Sequence, residues 1–160
     1  MSDIVTSKRP PAVGDMAPNF SLIDSSGGHI SLDSLRGRPV VLVFYPADFS
    51  PVCSDQLAIY NEILPEFTRF GAQILGISVD GPWCHKAFAA HRHIDFLLLS
   101  DSHPKGAVAN RYGVYRQADG ISERAIFVLD ARGIIRWKLI AQLGENPGAD
   151  GIIGALESLQ

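Results

Sequence analysis

The longest unbroken apolar stretch of the chain is Val-Val-Leu-Val-Phe-Tyr, residues 40–45. It is rich in β-branched and aromatic residues, which favour strands. It is also far shorter than the roughly 20 apolar residues that a membrane-spanning helix needs. A strand that is apolar at every position is covered by protein on both faces. The stretch therefore predicts a central strand of a sheet that is packed between two layers.

Strand and helix patterns alternate along the rest of the chain. A hairpin is predicted around Ser-Ser-Gly-Gly, residues 25–28, ahead of the central strand. The elements predicted after it are a helix through Leu57, Tyr60, Leu64 and Phe67 that Pro65 kinks or shortens, a strand at 73–79, a helix at 82–91, a strand at 96–99, a short helix at 107–111, strands at 124–129 and 134–140, and a last helix through Ile152, Ile153, Leu156 and Leu159. Helical crossovers imply parallel strands and the hairpin implies antiparallel ones. This order is typical of an α/β, thioredoxin-like fold: a mixed central sheet flanked by helices, with an N-terminal hairpin extension.

Composition narrows the class of protein. The chain has 160 residues, of which 46% are hydrophobic, and its formal net charge is -3. These values exclude a disordered chain and a basic nucleic-acid-binding domain. We assign residues 12–160 to one domain and residues 1–11 to a flexible N-terminal arm. The arm lacks the apolar core of a secretory signal, so we expect a cytoplasmic protein that does not bind membranes.

Cys53 lies at the predicted start of the first helix after the central strand. Ser50 is a good N-cap and Pro51 a good first helical residue, so Cys53 is the third helical residue. Free backbone N–H groups and the positive end of the helix dipole favour a thiolate at that position. Cysteines at helix starts have pKa values lowered from about 8.5 into roughly the 3.5–7.5 range. From spacing alone, a small buried core residue is an equally good interpretation of Cys53.

The residues around this cysteine resemble the peroxiredoxin family. Pro46, Ser50 and Cys53 match its Pro-x-x-x-Thr/Ser-x-x-Cys motif, within Val-Val-Leu-Val-Phe-Tyr-Pro-Ala-Asp-Phe-Ser-Pro-Val-Cys. Three further segments are similar in register: Ala-Pro-Asn-Phe at 17–20, Gly-Ile-Ser-Val-Asp at 76–80 followed by His85, and Arg-Ala-Ile-Phe-Val-Leu-Asp at 124–130. The similarity extends over about residues 12–160. Ser50 stands where threonine is commoner, so the hydroxyl is kept and a methyl group is lost.

The resemblance implies a thiol-dependent peroxidase without a metal, haem or flavin cofactor. Cys53 would attack hydrogen peroxide or an organic hydroperoxide and become a sulfenic acid. Arg124 would stabilise the thiolate and the leaving oxygen, Ser50 would donate to the peroxide, and Pro46 would shield the sulfur. Without the resemblance, Ser50 is interpreted as a cap only and Pro46 as the end of a strand. Arg124 is then an ordinary strand-end arginine paired with Glu123 or Asp130.

Several alternatives remain open at this point. Cys84 either resolves the sulfenic acid in an intramolecular disulfide, as in atypical two-cysteine members, or is a packing residue of a one-cysteine enzyme. Because the sequence ends at Gln160, we expect no intersubunit disulfide with a C-terminal tail. A peroxide sensor or chaperone-like redox protein would use the same cysteine. A disulfide oxidoreductase is disfavoured because Gln56 occupies the second cysteine position of Cys-x-x-Cys. The expected partners are a thioredoxin-like or small-thiol reductant and a second copy of the chain in a homodimer.

Overall fold

A computed structural model describes residues 9–160. Its strands are β1 (Ser21–Asp24), β2 (His29–Ser31), β3 (Val40–Phe44), β4 (Gln73–Ser78), β5 (Leu97–Ser100), β6 (Tyr115–Arg116), β7 (Ile121–Ser122), β8 (Arg124–Leu129) and β9 (Ile135–Ala141). Its helices are α1 (Pro51–Glu62), α2 (Leu64–Arg69), α3 (Pro82–Arg92), α4 (Ala107–Arg111) and α5 (Asp150–Glu157), with a 3₁₀ turn at Leu32–Leu35. In residues 9–160 no helix is long and apolar enough to cross a membrane.

Seven strands form one mixed sheet in the order β2-β1-β5-β4-β3-β8-β9. The central strand β3 pairs in parallel with β4 and antiparallel with β8. The β1–β2 hairpin joins the sheet through an antiparallel pairing of β1 with β5, so it extends the sheet at one edge. The predicted fold class, a mixed central sheet with flanking helices, is confirmed.

Strand β3 is buried from end to end because each face meets its own apolar layer. Leu42 and Phe44 point into one core, together with Tyr112 that follows α4. Val41 and Val43 point into the other core, where α1, α3 and α5 pack. Burying one such side chain stabilises the folded state by about 1.5–3 kcal/mol, so exposing this stretch to solvent would be strongly unfavourable.

The predicted break at Pro65 is present. Helix α1 ends at Glu62, and α2 starts at Leu64 with Pro65 in its first turn. A proline inside a continuous helix would leave the carbonyl four residues earlier without its donor, whereas in a first turn no donor is required. The chain therefore divides one predicted helix into two.

One strand pair was not predicted from the sequence, and one predicted region lies largely outside the described residues. The short antiparallel pair β6–β7 was not predicted, because strands of two residues carry no periodic signal. Most of the predicted N-terminal arm, residues 1–8, lies outside the described residues. At its end, the carbonyl of Pro11 accepts a hydrogen bond from Lys138 at 3.1 Å. The boundary at residue 12 stays a prediction.

Candidate active site

The carboxyl ends of β3 and β4 and the amino end of β8 meet at one edge of the sheet. In the register of the sheet, Phe44 faces Ile77 of β4 on one side and Ala125 of β8 on the other. Helices α1 and α3 follow β3 and β4, so both begin at this edge. Arg124, the first residue of β8, lies there too. Parallel pairing of β3 with β4 thus brings two helix starts together, and antiparallel pairing of β8 with β3 adds the arginine.

Cys53 is fully buried as the third residue of α1. The first helical hydrogen bond runs from Ser54 N–H to the Ser50 carbonyl at 2.9 Å. The N–H groups of Val52 and Cys53 precede it and have no helical carbonyl to donate to. Ser50 is the N-cap by position, yet its hydroxyl donates to the Ala47 carbonyl at 2.9 Å and does not cap the helix. The helix start thus keeps two backbone donors for a bound oxygen.

Arg124 is buried, with 2% of its surface exposed, and it contacts the sulfur directly. Its Nη1 donates to Cys53 Sγ at 3.4 Å and to Gln56 Oε1 at 2.6 Å. Its Nε and Nη2 both donate to the Leu143 carbonyl, at 3.2 Å and 2.6 Å. Two bonds to one carbonyl fix the plane of the guanidinium and aim Nη1 at the sulfur.

The alternative role for Arg124, a surface ion pair, is wrong. Glu123 pairs with Arg116 at 3.1 Å, and Asp130 pairs with Arg136 at 2.8 Å. Both carboxylates therefore have other partners. The physical reason is that β8 is buried along its whole length, so Arg124, its first residue, lies inside the protein and not at the surface.

Gln56 is a site residue that the sequence analysis did not identify. It is fully buried, and its Oε1 accepts from Arg124 while its Nε2 donates to the Tyr60 hydroxyl at 2.9 Å. Tyr60 in turn donates to the Gly148 carbonyl at 2.9 Å. Burial raises the pKa of Tyr60 to about 12, so the hydroxyl stays protonated as a donor. The available signal was spacing, because a residue three positions after Cys53 lies on the same helix face.

Pro46 is buried in the loop between β3 and α1, two residues beyond the last residue of β3. The same loop contains Phe49, which adopts a left-handed φ of 66°. The Phe49 ring is half-exposed and lies 5.2 Å from the ring of Phe88 on α3. The loop that leads to Cys53 is therefore packed against the helix that carries the second cysteine.

Cys84 is the third residue of α3, after Gly81 as N-cap and Pro82 as first residue. Its thiol donates to Asp80 Oδ1 at 4.0 Å. Burial and the charges of Asp48 and Asp80 raise the pKa of the Cys84 thiol to about 11. The structure therefore surrounds Cys84 with negative charge and leaves both cysteines as free thiols.

A buried polar network lies beside Cys84, and the sequence analysis did not predict it. Asp48 Oδ1 accepts from the Tyr45 hydroxyl at 2.6 Å, and Asp48 Oδ2 lies 2.7 Å from His85 Nδ1. The other ring nitrogen of His85 lies 3.0 Å from the Leu99 carbonyl, which can only accept, so Nε2 is the donor there. Burial raises the pKa of Tyr45 well above its ordinary value. The network fixes the α1 loop, β3, β5 and the first turn of α3 to one another.

Asp48, Asp80 and Cys84 also bring three metal-ligand types within 4.8 Å of one another. Three of their four carboxylate oxygens face other polar groups, however, and the fourth, Asp80 Oδ1, accepts from the Cys84 thiol itself. Asp48 accepts from Tyr45 and faces His85, while Asp80 Oδ2 accepts from Ser78 Oγ at 2.5 Å and from the Asp48 N–H at 2.8 Å. Buried acceptors that are satisfied in this way do not call for a cation, so we assign no metal to the cluster.

Comparisons with known proteins agree with this geometry. The model of the AhpC/TSA family matches residues 13–138. Alkyl hydroperoxide reductase E of Mycobacterium tuberculosis is 41% identical over 134 residues, which are 83% of this chain and 88% of that protein. The chloroplastic peroxiredoxin Q of Populus jackii is 35% identical over 147 residues, 91% of this chain and 68% of that protein. The crystal structure of peroxidoxin BcpB from Mycobacterium tuberculosis superposes with a TM-score of 0.83 at 30% identity and covers 92% of this chain and 97% of that chain.

Proposed function

Because the chain belongs to the AhpC/TSA family, the peroxiredoxins, we propose that it reduces hydrogen peroxide and organic hydroperoxides with Cys53 as the attacking thiolate. The observation that carries this assignment is the buried contact of 3.4 Å between Arg124 Nη1 and Cys53 Sγ at the start of a helix. A fixed positive charge and free backbone N–H groups both stabilise negative charge on that sulfur.

In the proposed reaction the Cys53 sulfur attacks one peroxide oxygen, and the O–O bond breaks. The sulfur becomes a sulfenic acid, and the second oxygen leaves as an alkoxide or hydroxide that is protonated to an alcohol or water. Stabilisation of the charge that grows on the leaving oxygen is usually the largest catalytic contribution. Within the described part of the chain, the contacts of Arg124 use four of its five N–H donors, and we assign the fifth, on Nη2, to the peroxide.

Backbone N–H groups and two side chains complete the proposed site. The free N–H groups of Val52 and Cys53 would receive the attacked oxygen, and the Ser50 hydroxyl would turn from Ala47 to donate to the peroxide. Pro46, buried in the loop, would keep bulk water from the sulfur. No cofactor enters this chemistry.

The test of the function is peroxide consumption in the presence of a thiol reductant. Cys53→Ser should abolish it because the remaining thiol, Cys84, has a pKa raised to about 11 and has little of the reactive thiolate at neutral pH, whereas Cys84→Ser should still consume the first equivalent. Continued consumption by Cys53→Ser would overturn the assignment. Many peroxides reduced per chain support an enzyme. A single equivalent per chain, even with thioredoxin or a small thiol present, would identify a peroxide sensor instead.

We further propose that Cys84 resolves the sulfenic acid. Cys84 Sγ lies within 4.8 Å of the Asp48 carboxylate, and Asp48 precedes Cys53 by only five residues. Five extended residues reach up to about 17 Å, so unwinding the first turn of α1 can carry Cys53 to Cys84. Pro51 is exposed and Val52 half-buried, so the first two residues of α1 have little packing to lose, whereas Cys53 has to leave a buried position.

Mass spectrometry after one equivalent of peroxide tests this role. A Cys53–Cys84 disulfide within one chain, with the loss of two hydrogens, is expected. The Cys84→Ser variant should stop at sulfenic or sulfinic acid when thioredoxin is the only reductant. Cycling of that variant with thioredoxin at the wild-type rate would show that the protein is a one-cysteine enzyme.

The remaining expectations concern assembly and location. We expect a homodimer, and a monomer mass in analytical ultracentrifugation would contradict this. We also expect a thioredoxin-like or small-thiol reductant. A cytoplasmic location stays a prediction from the sequence.

A further inference from the structure

The segment before α3 holds one carboxylate oxygen beside the Cys84 thiol. Asp80 directly precedes the N-cap Gly81, and its Oδ2 is fixed by Ser78 Oγ at 2.5 Å and by the Asp48 N–H at 2.8 Å. Within residues 9–160, the hydrogen bond that Asp80 Oδ1 accepts comes from Cys84, at 4.0 Å. One oxygen of Asp80 therefore anchors the carboxylate, and the other faces the thiol.

A thiol in these surroundings needs a proton acceptor in order to react. Burial and two nearby carboxylates raise the pKa of Cys84 to about 11. A group with that pKa is ionised in only about one molecule in 10⁴ at neutral pH. Because the thiolate and not the thiol is the nucleophile, Cys84 cannot rely on ionisation in bulk solvent.

We propose that Asp80 is the catalytic proton acceptor of Cys84 in the disulfide-forming step, an inference that rests on the proposed resolving role of Cys84. As Cys84 Sγ bonds to Cys53 Sγ, the S–H bond breaks and its proton passes to Asp80 Oδ1. The S–O bond of the sulfenic acid breaks with its electron pair on oxygen, which leaves as water after taking up the proton. No external oxidant or reductant enters the step.

Asp48 is less suited to this role although its carboxylate also lies within 4.8 Å of the thiol. Its two oxygens face the Tyr45 hydroxyl and His85 Nδ1, at 2.6 Å and 2.7 Å. The titratable groups around Cys84 are therefore Asp80 from the β4–α3 segment, Asp48 from the α1 loop, Tyr45 from the end of β3 and His85 from α3. Asp48 also raises the pKa of the Cys84 thiol through its charge and a hydrogen bond, but both of its oxygens already face other groups, whereas within residues 9–160 the donor to Asp80 Oδ1 is the thiol itself.

The pair of Asp80 and Cys84 also stays together while Cys53 moves. Both residues lie in one short segment, and the fully buried His85 holds the first turn of α3 through Asp48 and the Leu99 carbonyl. The mobile partner is then the start of α1, not α3. The acceptor is in place whenever Cys53 arrives.

The experiment measures the single-turnover rate of disulfide formation after one equivalent of hydrogen peroxide, as a function of pH. The wild-type rate should be flat between about pH 6 and 9, because the proton passes directly to Asp80 and the rate does not follow the thiolate fraction. In Asp80→Asn the rate should fall about 100-fold at neutral pH and rise about tenfold per pH unit, since it then follows the thiolate fraction. Asp80→Glu, which keeps the carboxylate, should restore a flat profile.

Asp48→Asn is the matched control, since it removes one negative charge beside the same thiol but leaves Asp80 in place. Its profile should stay flat. Both variants are first shown to be folded by near-UV circular dichroism, because Asp48 also holds His85 of α3. The inference is overturned if folded Asp80→Asn is flat or if folded Asp48→Asn acquires the same slope. A wild-type protein that forms no Cys53–Cys84 disulfide would instead overturn the resolving role of Cys84, which is a separate outcome.

Discussion

The starts of α1 and α3 are built alike. Each helix has an extended N-cap, Ser50 or Gly81, then a proline as first residue and a cysteine as third. Both begin at the same edge of the sheet, because they follow the neighbouring parallel strands β3 and β4. By local helix geometry alone, Cys53 and Cys84 have the same backbone donors and the same dipole.

The charged groups next to the two sulfurs have opposite signs. Cys53 is fully buried against the guanidinium of Arg124, whereas Cys84 is half-buried between Asp48 and Asp80. The helix end contributes about 0.3–1 kcal/mol, which a nearby full charge readily exceeds. A helix start is therefore a site for a reactive cysteine only when the long-range partner has the right charge.

The largest effect is expected from removing the positive charge of Arg124 next to Cys53. Arg124→Gln should slow the oxidation of Cys53 by hydrogen peroxide by about 10²- to 10³-fold, because a preorganised donor to the reacting atoms is lost. Stopped-flow fluorescence of variants with native near-UV circular dichroism measures this rate. Arg116→Gln, which removes an arginine from ion pairs on β6, is the control and should leave the rate unchanged. Equal rates in the two variants would show that the positive charge of Arg124 does not promote the reaction of Cys53.

The second prediction concerns the pH dependence of Cys84 in the Cys53→Ser variant. Since the pKa of Cys84 is raised to about 11, alkylation by iodoacetamide should remain slow until pH approaches that value. At about pH 8 the rate should be on the order of 100-fold below that of the same thiol in the urea-unfolded chain. Half-maximal reaction near the pH of an ordinary thiol would show that the carboxylates do not act on Cys84.

A third variant makes the Cys53 site resemble the Cys84 site. Gln56→Glu places a carboxylate on Arg124 Nη1, where it competes with the sulfur for the positive charge. We expect the peroxide rate at neutral pH to fall about tenfold, equivalent to ~1.4 kcal/mol. Gln56→Leu removes the acceptor without adding charge and should have a smaller effect. A larger loss in Gln56→Leu would assign the effect to packing and not to charge.

The smallest effect is expected from replacing Gly81, the N-cap of α3, with serine, the residue type at the N-cap of α1. Gly81 has a φ of -77°, and a Cβ there would meet nothing within 4 Å. Gly81→Ser should therefore raise the free energy of unfolding by about 0.5 kcal/mol, through a less flexible unfolded chain and a better cap. Urea denaturation measures it. Gly106→Ser is the contrasting variant: its φ is +72° and its Cβ would collide with the Tyr115 ring, so it should be destabilised. A destabilised Gly81→Ser would show that α3 begins under a constraint specific to glycine.

Much of the fold could be predicted because its signals are local. The apolar stretch at residues 40–45 gave β3 within one residue, and Pro65 marked the division between α1 and α2. The short pair β6–β7 could not be predicted, because its two-residue strands are held by neighbours and not by their own pattern. At the site, the positions of Ser50 and Cys53 followed from capping chemistry, while Gln56 and the network of Asp48 with His85 did not.

By itself, the sequence determined where the helices begin and therefore that both cysteines are third helical residues, since prolines and N-caps act over a few residues. Only the tertiary structure decided that Arg124 meets Cys53 and that Asp48 joins the local Asp80 beside Cys84. Arg124 is 71 residues from Cys53 along the chain, and residue spacing alone paired it with Glu123 or Asp130. Electrostatic interactions depend on separation in space and on burial. The pairing of β8 with β3 brings Arg124 to Cys53, and the pairing of β3 with β4 together with the Asp48–His85 contact brings the α1 loop to Cys84.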